Sequence, residues 1–154
     1  MHVRPYHDTD LAALVGVFTA SVHGLGALHY TLEQRSAWAP QPADLDAWRL
    51  RLGPLETRLA MVGGTLAGFI SWAANGQIEF LYVAPGYGRQ GIASTLLQYA
   101  ESALIAQGIH TFSTAASLVA QPFFARQGFH IVEEQRVERR GVSFRRYAMQ
   151  KTRA

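Results

Sequence analysis

Residues 78–106 read IEFLYVAPGYGRQGIASTLLQYAESALIA, and the fold of the chain turns on what these three joined pieces are. Ile78 to Val83 is rich in β-branched, aromatic and aliphatic residues and reads as a strand. Ala84 to Gln90 is punctuated by Pro85, Gly86 and Gly88 and reads as a tight loop. From Gly91 onward, Leu96, Leu97, Ala100, Ala103 and Leu104 recur at threes and fours, the spacing of a helix with one buried face. A glycine-rich loop feeding a helix N-terminus presents unpaired backbone N–H groups and the positive end of the helix dipole. The natural guest of that arrangement is a phosphate or pyrophosphate.

Which phosphate compound is decided by the flanking residues. Gly86-Tyr87-Gly88-Arg89-Gln90-Gly91 matches the letters of the dinucleotide fingerprint G-x-G-x-x-G. That fingerprint needs an acidic residue about 20 positions on, after the next strand, to hold a ribose. The next strand is expected over Ile109 to Ser113, and Thr114-Ala115-Ala116-Ser117 follows it without an acid. A Walker loop fails as well, because no Gly-Lys-Ser/Thr closes the segment. A strand–loop–helix connection without a ligand would not need so much glycine and proline.

The bulk composition narrows the class. One domain over residues 1–154 is expected from the length, with a sizeable core. Hydrophobic residues make up 49% and charged residues 16%, which argues against disorder. By eye, no apolar run reaches the roughly 18 residues of a membrane span. Met1-His2-Val3-Arg4-Pro5 starts with strand-like residues and has no signal-peptide core, which points to the cytoplasm. There is no cysteine, hence no disulfide, thiolate metal site or cysteine nucleophile. The histidines lack metal-ligand spacing, His23 and His29 being separated by glycines, so no metal is expected.

The net charge is +3 and the isoelectric point is near 9.6. No Lys/Arg block of five or more occurs. Arg136, Arg139, Arg140, Arg145 and Arg146 cluster, with Glu133, Glu134 and Glu138 interleaved. A solvated strand face is the first reading, ahead of attraction for an anionic cofactor and of a nucleic-acid surface.

Along the chain, Val3 to Tyr6 reads as a strand, and Asp8 or Thr9 can cap a helix from Asp10 to about Val22, broken at His23-Gly24-Leu25-Gly26. Thr31 with Gln34 forms a capping box for a helix to Trp38, and Asp44 caps another through Leu52. Strands are expected over Arg58–Val62 and Leu66–Ala74, with turns at Gly63-Gly64 and Asn75-Gly76. After the central helix come a strand, a helix over about Val119 to Arg126, a strand over Phe129 to Glu138, a turn at Arg140-Gly141 and a strand over Val142 to Met149. This is an α+β pattern: a mixed, mostly antiparallel sheet of six to seven strands with helices on both faces.

Taken together, Val83-Ala84-Pro85 followed by Gln90-Gly91-Ile92-Ala93 resembles motif A of the GNAT N-acetyltransferase superfamily. Ala120-Gln121-Pro122-Phe123-Phe124-Ala125-Arg126-Gln127-Gly128-Phe129 looks like the family's second cofactor helix, which ends in Gly-Phe. Leu28-His29-Tyr30-Thr31, Ser36-Ala37-Trp38 and Arg136-Val137-Glu138-Arg139-Arg140-Gly141 are similar to the YafP-like branch. The element order matches the GNAT fold over nearly the whole chain.

The resemblance implies an acetyl-CoA-dependent N-acetyltransferase whose acceptor, a small-molecule or peptide primary amine, attacks directly in a ternary complex. Backbone groups of Leu81, Tyr82 and Val83 would bind the pantetheine arm. Amides of Gly88, Arg89, Gln90, Gly91, Ile92 and Ala93, with the Ser94 hydroxyl, would hold the pyrophosphate. Phe123, Phe124 and Arg126 would flank the other end of the cofactor.

Acyl transfer to an amine needs a deprotonated amine, a stabilised oxyanion and a route out for the thiolate. Glu79 is the candidate base, or binds a cationic acceptor, because a carboxylate inside an apolar strand is costly to bury without a role. Strict alternation would place Glu79, Leu81 and Val83 on one face and Ile78, Phe80 and Tyr82 on the other. The sequence departs from the family pattern in two places. Phe124 stands where many relatives carry a tyrosine proton donor, and Ser117 where many carry an asparagine. Tyr82 and Ser117 are the substitute candidates, Ser117 also as a cofactor ligand. In motif A, Gly88 stands where arginine or glutamine is usual and Arg89 where glycine is usual.

His29, Tyr30, Trp38 and Trp72 are expected to wall the acceptor pocket, and aromatic walls favour an apolar or cationic acceptor. A non-catalytic acyl-CoA-binding module is the alternative, resting on the missing tyrosine. A nucleic-acid binder rests on the isoelectric point alone. The oligomeric state stays open, a homodimer included.

Overall fold

The computed structural model describes residues 1–154. The chain forms β1 (His2–Pro5), α1 (Leu11–Leu25), α2 (Leu32–Trp38), α3 (Leu45–Leu52), β2 (Glu56–Val62), β3 (Thr65–Trp72), β4 (Gln77–Val83), α4 (Ile92–Ala106), β5 (Thr111–Ala116), α5 (Gln121–Arg126), β6 (His130–Arg139) and β7 (Val142–Thr152). Short 3₁₀ turns at Asp8–Asp10 and Gly26–Leu28 flank α1.

All seven strands lie in one sheet, in the order β1-β2-β3-β4-β5-β7-β6. Every neighbouring pair is antiparallel except β4 and β5. That one parallel pair is joined only at Gln77↔Ser113 and Ile78↔Thr114. Beyond Ile78 the two strands diverge, and the sheet opens into a wedge beside Glu79 to Val83.

Alternation along β2 and β3, shifted by a β-bulge at Ala67, builds two apolar layers. Leu59 and Phe69 face α1 and α3, where Leu14, Phe18, Val22, Trp48 and Leu52 are buried. Ala60, Ala67 and Ile70 face α4 and α5, where Leu96, Leu97, Ala100, Leu104 and Phe124 are buried. Each fully buried side chain of this size contributes about 1.5–3 kcal/mol. A third small cluster, Tyr30, Ala37 and Phe144, ties α2 to β7.

The local signals act as their chemistry dictates. Thr31 Oγ1 accepts from the Gln34 amide at 3.1 Å, and Gln34 Oε1 accepts from the Thr31 amide at 2.9 Å. Asp44 Oδ1 accepts from the Ala47 amide at 3.1 Å. At the start of α1 it is Asp10, rather than Asp8 or Thr9, that accepts, from the His7 amide at 2.9 Å and from both terminal nitrogens of Arg4.

Several expectations need correcting. Gly24 does not stop α1, which runs to Leu25. The continuous helical span Asp8–Leu28 is in fact long and apolar enough to cross a membrane. Its apolar stripe is buried against the sheet instead, which makes it a core helix. The strand expected over Ile109–Ser113 lies over Thr111–Ala116, because the turn after α4 continues to Gly108 at φ +83°. On β4, strict alternation fails. Ser71 pairs with Phe80 but Trp72 with Ile78, so Glu79 is the extra residue of a β-bulge. Ile78 therefore turns to the α4 face with Leu81 and Val83, while Phe80 and Tyr82 keep to the α1 face.

Candidate active site

The loop between β4 and α4 is built to leave backbone donors free. Gly91, immediately before α4, sits at φ +76°, a left-handed conformation that glycine adopts without a steric penalty. The first α4 amide with a backbone partner is Thr95, bonded to the Gly91 carbonyl at 3.0 Å. Each amide from Gly88 through Ser94 lacks a protein acceptor. A Cβ placed on Gly86, Gly88 or Gly91 would meet nothing within 4 Å, so the space above these amides is open. Helix-terminal donors with open space before them form a cradle for an anion. Arg89 also adopts a positive φ, +61°, at the position where the resemblance expects glycine.

A cavity of about 430 Å³ extends from this cradle. It is lined by Gly88, Arg89, Gly91, Ile92, Ala93 and Ser94 on one side, and by Leu81, Tyr82 and Val83 along β4. Phe123, Phe124, Arg126 and Ser117 close the far side. Gln90 is exposed and outside the lining, so its side chain makes no wall; only its free amide faces the cradle. Four further residues contribute that were not expected from the sequence. Tyr87 lines the loop, Ser21 and Val22 come from the end of α1, and Gln127 donates to Ser94 Oγ at 3.1 Å.

The β4 backbone faces the wedge with alternate groups. Ala84 donates to the Ala67 carbonyl of β3 at 2.8 Å, so by alternation Val83 and Leu81 point their amides the other way, into the gap. No β5 residue pairs with them there. An extended ligand arm can therefore add to β4 as a strand would.

A second cavity, of about 160 Å³, lies across the wedge. The two cavities share Trp38, Leu81, Tyr82, Ser117, Ala120 and Phe124, which mark the junction where reacting groups can meet. Glu79 lines the smaller cavity from its bulge. It is exposed rather than buried, which corrects the argument that placed it by its burial cost.

Tyr82 lies at the junction, stacked on Phe69 with centroids 5.8 Å apart and edge-on to Phe18 at 4.9 Å. Burial of its phenol is the main cause that pushes its pKa up to about 12, partly offset by Arg139, Trp38 and Arg51. The phenol thus stays protonated at any physiological pH. Handing that proton to a thiolate of pKa near 8.5 would be uphill by about 5 kcal/mol. Tyr82 can therefore donate a hydrogen bond to developing charge, but it is not a source of protons.

Ser117 Oγ accepts from the Ala120 amide at 3.1 Å, and its hydroxyl also meets the Tyr30 phenol where the two cavities join. Phe124 is buried at the junction and packs edge-on against Phe123 and Phe129, with no polar group to offer.

The four residues expected to wall the acceptor pocket do not gather in one place. Trp38 and Tyr30 line the smaller cavity. The Tyr30 hydroxyl is engaged, accepting from the Leu118 amide at 2.8 Å, and burial raises its pKa. Trp72 does not reach the cavity: alternation along β3 from Ile70 puts it on the α4 face, where it is 3% exposed beneath Arg58 and Tyr99. His29 is exposed in the turn after α1 and lines neither cavity.

In their place stand arginines. Arg51, Arg139, Arg145 and Arg146 all line the smaller cavity, against the single carboxylate Glu79. Three of these, Arg139, Arg145 and Arg146, belong to the cluster whose first reading from sequence is a solvated strand face. No group of three or more His, Asp or Glu side chains gathers anywhere in the fold.

With an amide cradle after β4, a wedge in a seven-stranded sheet and two cavities meeting at Tyr82, the chain belongs to the GNAT acetyltransferase family, whose Acetyltransferase (GNAT) domain matches residues 27–151. It falls with the YafP-like branch. The chain is 35% identical over 149 residues to the "Uncharacterized N-acetyltransferase YafP" of Escherichia coli K12, a match covering 97% of this chain and 94% of that one. It superposes with a TM-score of 0.95 on a GCN5-related N-acetyltransferase from Rhodopseudomonas palustris, at 31% identity, covering 99% of this chain and 95% of the other. The fold is shared with the PaiA N-acetyltransferase of Thermoplasma acidophilum, solved in complex with coenzyme A. That match has a TM-score of 0.79 at 22% identity and covers 99% and 98% of the two chains.

Proposed function

We propose that the protein transfers the acetyl group of acetyl-CoA to a primary amine by direct attack, with both substrates bound at once. The observation that carries this reading is the unbroken run of unpartnered amides from Gly88 to Ser94 before an open cradle. These amides, with the Ser94 hydroxyl, would hold the pyrophosphate, and Leu81 and Val83 would bind the pantetheine arm through the unpaired edge of β4. Phe123 and Arg126 would flank the remainder of the cofactor. Acetyl-CoA supplies an activated thioester; the protein supplies position and charge.

Holding two reactants in line accounts for several kcal/mol of barrier lowering, on the order of 7–11 at best. The free amide beside Tyr82 and the Tyr82 phenol are the donors available to a developing oxyanion. Glu79 is the base that takes the amine proton, directly or through a water. Phe124 offers no proton, so a departing thiolate leaves by its own low pKa or is met by Ser117 through a water.

Titration calorimetry with acetyl-CoA, followed by thiol release across a panel of amines, tests the reading. Micromolar binding with turnover on some amine is expected. Binding without turnover on any amine would favour a non-catalytic acyl-CoA module, which the apolar Phe124 at the junction would suit. No binding at all would overturn the cradle assignment.

A further inference from the structure

We propose that the acceptor amine carries an anion of its own, a carboxylate or a phosphate, which Arg51 and Arg139 hold at the mouth of the smaller cavity. The inference rests on reading that cavity as the acceptor site.

The charges of the cavity do not balance. Four guanidinium groups line it and one carboxylate. Two of the four are engaged within the protein: Arg146 Nε donates to Gln135 Oε1 at 3.0 Å, and Arg145 pairs with Glu134 at 3.6 Å. Arg140, next along the chain, donates to the Ala37 carbonyl at 2.7 Å and lies outside the lining. Arg51, from α3, and Arg139, from the end of β6, have neither an acidic partner nor a hydrogen-bond acceptor.

Arg51 is also preorganised. Its guanidinium lies over Trp48 at 5.0 Å and Phe80 at 4.7 Å, so its fork is fixed by stacking. Burial, and then the field of Arg139, weaken its hold on its proton, while Glu79 works in the opposite sense. Two cations therefore face one space with no anion between them, an arrangement that a bound carboxylate or phosphate relieves. A purely cationic acceptor would be repelled by the same pair.

Glu79 completes the pattern. An acceptor with an ammonium at one end and an anion at the other meets Glu79 with the first and the arginine pair with the second. Trp38 and Phe144, packed edge-on with ring centroids 6.3 Å apart, give the cavity an apolar wall for the body of such an acceptor.

The test is thiol release from acetyl-CoA with matched acceptors: α-amino acids beside the amines left by their decarboxylation, and O-phosphoethanolamine beside ethanolamine. The anion-bearing member of at least one pair should have a kcat/KM higher by about tenfold or more, the factor one charge-assisted hydrogen bond supplies. Which pair responds separates carboxylate from phosphate. Arg139→Gln should raise the KM for that acceptor by a similar factor and remove most of its advantage over the neutral partner. Arg139→Lys should recover part of the loss. Arg51→Gln should act in the same direction, but Arg139 decides, since its side chain packs on no ring.

Preference for the neutral members, or an equal effect of Arg139→Gln on both members of a pair, would overturn the inference while leaving the transferase reading intact. Acetyl-CoA binding with no turnover of any amine would overturn the transferase reading, and this inference with it.

Discussion

Glu79 owes its place to a single inserted residue. The bulge sets its carboxylate at the edge of the smaller cavity, solvated and free of any intramolecular partner. Replacing it with glutamine keeps the shape and removes the basicity. Glu79→Gln is expected to lower kcat by about 10²–10⁴-fold, the usual range for a general base. The affinity for acetyl-CoA, measured by calorimetry, should not move. An equal loss of both would assign Glu79 a structural role.

Asp10 shows the same residue class doing structural work. Its bond to Arg4 is the largest cause that holds its pKa at about 2, below the 3.8 of a free aspartate. Because the folded-state value is the lower one, the contribution to stability is present above about pH 4 and fades as the pH falls toward 2. Asp10→Asn should cost about 1–2 kcal/mol at pH 7. Urea melts of the two proteins should converge as the pH drops through that window, and a gap that persists at pH 2 would exclude the ion pair as its source.

At the scale of elements, α4 and its entry loop carry the cofactor assignment. Gly91 combines a left-handed backbone with open space where a side chain would stand. Gly91→Glu adds both strain and a negative charge at the cradle. It should weaken acetyl-CoA binding at least about 100-fold, the loss of some 2.7 kcal/mol, in a protein whose circular dichroism is unchanged. Unaltered affinity would place the pyrophosphate elsewhere.

This loop was the most legible part of the sequence, because glycine and proline mark backbone conformations directly. So were the Thr31–Gln34 and Asp44 caps, which depend on neighbours in the chain. The acceptor side was not legible. The Glu79 bulge arises from the pairing of β3 with β4, and no local signal announces it. Arg51 and Arg139 meet across a cavity formed by elements nearly ninety residues apart, so their shared task appears only once the sheet has closed. One signal was present: Trp48 and Arg51, three apart on α3, share a helix face.

For the whole molecule, the wedge divides the sheet into β1–β4 and β5–β7, joined through two register pairs. A ligand lying along β4 and against α5 bridges both parts and binds only when they are assembled. Acetyl-CoA at 100 times its dissociation constant should stabilise the fold by about 2.7 kcal/mol. For a domain of this size that corresponds to a rise in melting temperature of roughly 5–10 °C. The Gly91→Glu protein should show no such rise, and a full rise in that variant would detach the stabilisation from the cradle.

The extra residue on β4 is a passenger as far as the core is concerned. Ile78 packs on the α4 layer and Phe80 on the α1 layer, the places that adjacent residues of an unbroken strand would take. Excising Glu79 would therefore leave Trp72 opposite Ile78 and Ser71 opposite Phe80, with each side chain still on its present face. Such a deletion should melt close to Glu79→Gln, and a far lower melting temperature would show that the bulged backbone itself supports the fold. On this strand a side chain offered to the cavity is slipped in without disturbing the packing on either side of it.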